Sequence, residues 1–104
     1  MQKHYRQGDV LIIESSIPEA AQKQEKESRI VLEHGEVTNH AHAVRDPQAG
    51  SLYLEGTRKF LEICFATSVQ HEEHSKIPLN PGSYEVRRQV TWSALQQMAQ
   101  IVRD

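Results

Sequence analysis

Lys59-Phe60-Leu61-Glu62-Ile63-Cys64-Phe65-Ala66-Thr67-Ser68-Val69-Gln70 carries the pattern of a β-strand. It is rich in β-branched and aromatic residues, which suit a pleated, half-buried surface. Side chains alternate faces along a strand, and Leu61, Ile63, Phe65 and Val69 share one parity. The parity predicts an interior face, and His71 continues it. Cys64, the only cysteine, excludes an internal disulfide; inside this apolar run it reads as a buried, inert thiol.

Working outward, Ser51 to Leu54 pairs with this stretch as a hairpin around Glu55-Gly56-Thr57-Arg58. Upstream, Asp46-Pro47-Gln48-Ala49-Gly50 is a turn, and Arg29 to Val44 reads as one long strand or as two with a bend at Gly35. Pro18 to Ser28 is polar without an apolar stripe and reads as a surface loop or short solvated helix. Gln7-Gly8-Asp9 is a turn signal leading into Val10-Leu11-Ile12-Ile13. Downstream, Ile77 to Gly82 turns the chain into a strand from Ser83 to Val90. Trp92, Leu95, Met98, Ala99 and Val102 then fall at helical spacing, with Thr91 or Ser93 as N-cap. The expectation is a single all-β domain over residues 1–104, a small barrel or sandwich with one C-terminal α-helix.

Bulk properties narrow the function. A net charge of −2 gives no basic field, which disfavours indiscriminate nucleic-acid binding. No apolar run reaches membrane-spanning length, so a cytoplasmic protein is expected. An exposed edge strand offers a route to a homodimer.

The chemistry lies in two clusters, His40-Ala41-His42 and His71-Glu72-Glu73-His74. Imidazole is the commonest metal ligand, and an i, i+2 pair on a strand projects both rings from one surface. His40, His42, His71 and His74 are therefore the expected ligands of a divalent transition metal, with zinc, iron, nickel and copper all compatible. Glu72 and Glu73 can serve as ligand, as anchor for a ligand, or as proton shuttle. His4 and His34, near the terminus and beside a bend, are assigned structural roles. Adjacent Arg87 and Arg88 place one guanidinium on each face of a strand. The favoured reading is surface ion pairing with the abundant glutamates, and the alternative is that one, taken as Arg88, stabilises an anion at the histidines.

Gly35-Glu36-Val37-Thr38-Asn39-His40-Ala41-His42 resembles the first signature of the cupin superfamily, a glycine, a spacer and His-x-His followed by an acidic ligand. The spacer is one residue short, and Asp46 stands where that family has glutamate. The Pro81-Gly82 turn resembles the second signature, but Glu85 and Gln89 stand where that family has histidine and asparagine. The resemblance implies a cupin-like barrel and a metal at His40 and His42, with His71 or His74 replacing the missing histidine. The chain also resembles, over nearly its whole length, a group of small uncharacterised bacterial and phage proteins. The shared elements are Arg6 to Leu11, Gly35 to His42, His71 to His74 and Pro81 to Gln89; this resemblance implies a common site and no particular activity.

Three functions compete. The first is a metal-binding cupin-like protein acting on a small polar substrate. The second is a metal-independent phosphodiesterase using histidine acid–base chemistry and an arginine. The third is a non-catalytic binding or regulatory module in which the histidines stabilise the fold.

Overall fold

A computed structural model describes residues 3–35 and 40–88. The described residues form ten strands: β1 (His4–Gln7), β2 (Val10–Glu14), β3 (Gln22–Lys23), β4 (Ile30–His34), β5 (Ala41–Val44), β6 (Gly50–Glu55), β7 (Arg58–Ile63), β8 (Thr67–Gln70), β9 (Ile77–Leu79) and β10 (Gly82–Arg88). They make two antiparallel sheets, ordered β1-β2-β10-β7-β6-β3 and β4-β5-β8-β9. Of the two architectures expected from sequence, this is the sandwich; among the described residues the strands do not close into one barrel. The expected C-terminal helix (Trp92 to Val102) lies outside the described residues.

The expected hairpin forms as β6 and β7, with Leu52 opposite Leu61 and Glu55 opposite Arg58 across the Gly56-Thr57 turn. The stretch from Lys59 to Gln70, however, is two strands and not one. β7 ends at Ile63, the chain bends at Cys64 and Phe65, and β8 resumes in the other sheet. The bend overturns two readings: Phe65 is 44% exposed and Cys64 is exposed, because neither lies in a strand whose face is covered. Arg29 to Val44 takes its two-strand form, with β4 antiparallel to β5 and a register shift between Val31 and Glu33. Asp46 caps a 3₁₀ turn (Pro47–Ala49), its Oδ1 accepting from Gln48 N–H at 2.9 Å.

The core follows strand parity. Val10 and Ile12, Ile30 and Leu32, Leu61 and Ile63, Ile77 and Leu79, and Tyr84 and Val86 each contribute alternate residues, joined by Val44 and Val69. Along these same parities the interior turns polar at one end. On β5, Val44 is followed inward by buried His42; on β1, Tyr5 is followed by buried Gln7; on β10, Val86 is followed by Arg88. His71 follows Val69 and β8 in the same way. The site is thus the polar end of the core.

On the opposite face of β10, Glu85 is nearly buried between two guanidinium groups. Arg87 Nη2 donates to its Oε1 at 2.8 Å and Arg58 Nε to its Oε2 at 3.2 Å. The Arg87 hydrogen bond, with help from Arg58, holds the Glu85 carboxyl below the ordinary glutamate range. The unfolded chain therefore binds a proton more readily than the folded one, and this stabilisation is lost as pH falls through the ordinary range towards the lower folded value. Both arginines are more than half exposed, so solvent screens the pair. Glu85→Gln is expected to cost about 1–2 kcal/mol at neutral pH and to flatten the acid limb of stability, measured by urea unfolding across pH. An unchanged acid limb would contradict this assignment.

Candidate metal centre

His42 is the most tightly held side chain of the polar end. It is 2% exposed, and its Nδ1 lies 2.9 Å from Gln7 Oε1. The Gln7 amide can be oriented in only one way, because its Nε2 donates to Val69 O at 3.1 Å and to Ser75 O at 2.9 Å. Gln7 Oε1 is therefore an acceptor and His42 Nδ1 must carry the proton. The neutral ring then presents Nε2 as a bare lone pair. Burial, followed by the neighbouring His71, pushes the His42 pKa down to about 4, so the ring is neutral at pH 7.

The other three histidines surround it. Ring centres are 4.3 Å apart for His42 and His71, 4.8 Å for His71 and His74, 5.6 Å for His40 and His71, and 6.1 Å for His42 and His74. All four line one cavity of about 260 Å³ together with Asp9, Gly35 and Glu73. One donor each from His40, His71 and Glu72 lie within 4.8 Å of one another. His40 Nδ1 is buried and makes no hydrogen bond among the described residues; Glu73 Oε1 is 3.9 Å away. Such an orphaned nitrogen calls for an ion or a water.

Two glycines make room for these rings. Gly8 has φ +60°, and a Cβ there would meet His74 Nε2 at 2.6 Å. A Cβ on Gly35 would meet His71 Nε2 at 3.1 Å and His40 Cβ at 3.0 Å. Both positions are occupied by residues that lack the clashing atom.

The carboxylates divide by role. Glu72 Oε1 accepts from Ala41 N–H at 2.6 Å, and that bond holds its carboxyl below the usual range. It ties the second histidine cluster to the first. Glu73 lines the cavity mouth, and its backbone N–H donates to His71 Nδ1 at 3.0 Å. Arg88 does not line the cavity. Its Nε holds Asp9 Oδ2 at 3.2 Å, and its Nη2 reaches Glu33 and the His34 carbonyl. Arg87 points to the other face, as expected for adjacent arginines. Asp46 and Glu85 are both engaged away from the cavity.

Gln7 and Asp9 were not singled out by the sequence reading. In the sequence their segment reads only as a turn. A family model described as a domain of unknown function (DUF8820) matches residues 6–89. The chain belongs to this family. The matched segment contains Gln7, Asp9, the four cavity histidines and Arg88. No curated protein and no solved structure matches the chain. Among the described residues, no helix is long and apolar enough to cross a membrane.

The His42 arrangement has a pH signature. Between about pH 6.5 and 4 the unfolded ring is protonated while the folded ring is not, so folded-state stability falls as pH drops through this window. In chelator-treated protein the loss should total roughly 3 kcal/mol. Denaturant unfolding of wild type and His42→Gln across this range tests it: the variant should lack this part of the decline, and parallel profiles would refute the assignment.

Proposed function

We propose that this domain binds one divalent transition metal (zinc, iron, nickel or copper) at the four histidines and uses it on a small polar substrate. The observation that carries this reading is His42: a buried imidazole, neutral, with its Nδ1 proton committed to Gln7 and its Nε2 lone pair at a cavity shared with three other imidazoles. Metal-bound histidines typically donate their other N–H to a fixed acceptor in this way. Four imidazoles bound tetrahedrally at roughly 2.0–2.1 Å would have ring centres about 5 Å apart; four of the six pairs stand at 4.3 to 6.1 Å. The orphaned His40 Nδ1 supports the same reading.

A divalent ion, if held by these residues, would supply Lewis acidity towards a substrate oxygen. Glu73, at the mouth and 63% exposed, is placed to take a proton from substrate or water. Glu72 holds the Ala41 backbone, and through it the spacing of His40 and His42. His71 could hold the ion through either ring nitrogen only after giving up the Glu73 N–H, because Nε2 carries the ring proton while Nδ1 accepts.

That same hydrogen bond favours a second reading. With Nδ1 accepting, neutral His71 offers an Nε2–H beside the His42 lone pair, which is a donor–acceptor pair suited to metal-free acid–base catalysis of phosphodiester cleavage. Two facts weigh against it. His42, at a pKa of about 4, is a weak base at neutral pH, and Arg88 is already paired with Asp9 and Glu33 and so is not free to meet a phosphoryl group.

The test is titration of chelator-treated protein with Zn²⁺ and Co²⁺ by calorimetry. The wild type should bind one ion. His42→Ala should abolish tight binding, and Gln7→Ala, which leaves every imidazole in place, should weaken it about 10–100-fold. Undiminished binding in both variants, or none in the wild type, would end the proposal.

A further inference from the structure

Gln7-Gly8-Asp9 forms the turn between β1 and β2, and each of its three residues meets a cavity histidine. Gln7 fixes His42 Nδ1, Gly8 leaves space for His74 Nε2, and Asp9 Oδ1 stands 3.8 Å from His42 Nε2. The last contact is the unexplained one. Gln7 makes His42 Nε2 an acceptor, and a carboxylate oxygen is also only an acceptor. Two acceptors face each other across a gap too wide for a direct hydrogen bond, in a cavity that both line.

The rest of the Asp9 side chain is positioned to hold this arrangement. Arg88 Nε takes Oδ2 at 3.2 Å, while Arg88 Nη2 is anchored on β4 through Glu33 and the His34 carbonyl. The guanidinium fixes the carboxylate with one oxygen occupied and the other turned to the cavity. Had Asp9 served only to pair with Arg88, nothing would require Oδ1 to sit opposite a bare nitrogen. A positive charge between Oδ1 and Nε2 would satisfy both; neighbouring tetrahedral ligands at roughly 2.0–2.1 Å lie about 3.3–3.4 Å apart, so the two atoms need to close by about 0.4 Å.

We infer that Asp9 is a carboxylate ligand of the ion, acting opposite His42, and that Arg88 is the residue that positions it. This rests on the metal-binding reading above and adds an oxygen donor to the imidazole set. A mixed nitrogen and oxygen set accepts harder ions than imidazoles alone, which extends the expected range towards Mn²⁺ and Fe²⁺.

The experiment uses the full chain, Co²⁺ and Mn²⁺ as probes, and three variants. Asp9→Asn should weaken Co²⁺ binding at least tenfold, shift the Co²⁺ visible absorption and weaken Mn²⁺ binding more than Co²⁺. Asp9→Glu should recover part of the affinity and the spectrum. Arg88→Gln removes the same ion pair from the other side, so it controls for loss of that pair. It should keep the wild-type Co²⁺ spectrum with a smaller loss of affinity. Wild-type affinity and spectrum in Asp9→Asn, as expected if water alone bridges the gap, would overturn the inference while leaving the histidine site standing. The inference also fails if Arg88→Gln reproduces the Asp9→Asn spectrum and affinity. Failure of the underlying reading looks different, because the wild type would then bind neither ion.

Discussion

The hydrogen bond between Gln7 and His42 is the constraint on which the polar end of this sandwich depends. Through one amide it joins β1 to β5, to the carbonyl of Val69 on β8 and to that of Ser75 in the segment after the second histidine cluster. A neutral hydrogen bond contributes only about 1 kcal/mol net, but a buried polar group left without its partner costs about 1–3 kcal/mol. The Gln7 amide and the His42 ring are both about 2% exposed, so water cannot replace either partner. The bond consequently fixes a tautomer as well as a position, and with it which ring nitrogen faces the cavity.

Around that fixed ring the remaining parts act as a frame. Glu72 takes the Ala41 N–H, so the two histidine clusters, distant in sequence, are joined directly through backbone and carboxylate. Arg88 and Lys59 brace β4 from the other sheet, with Lys59 Nζ donating to Leu32 O at 3.0 Å and pairing with Glu33 at 2.8 Å. These contacts lie beside the register shift between Val31 and Glu33, where extra backbone groups need partners. Charged side chains thus close the gap between the sheets at the end where apolar packing stops.

Much of the fold was legible because period-two alternation reports burial directly. The β6–β7 hairpin, the strand after Gly8 and the strand after Pro81 all follow it, and so does the inward parity of His42. What was not legible was where a strand changes sheet. Cys64 and Phe65 continue an apolar pattern, and only the bend after Ile63 exposes them; a local sequence carries little information about such a crossing. Gln7 and Asp9 were missed for a related reason. A glutamine and an aspartate flanking a glycine are what any tight turn requires, so their long-range bonds to His42 and Arg88 leave no local trace. Arg88 was legible as a residue facing the histidine end, but its pairing with Asp9 was not.

The composition of the polar end is hard to explain by stability alone. Position 42 continues the interior parity of Val44, and an aliphatic side chain there would add roughly 1.5–3 kcal/mol of burial. A histidine forgoes that gain, obliges position 7 to supply a buried acceptor, and loses folded-state stability on mild acidification. It also brings neighbouring rings close enough to depress its basicity further, with His71 the largest contributor after burial. If the histidines served only packing, the orphaned His40 nitrogen and the two acceptors facing each other at His42 and Asp9 would be additional costs with no return. Under the metal-binding proposal, a cation at the site would take up these lone pairs and face the Asp9 carboxylate.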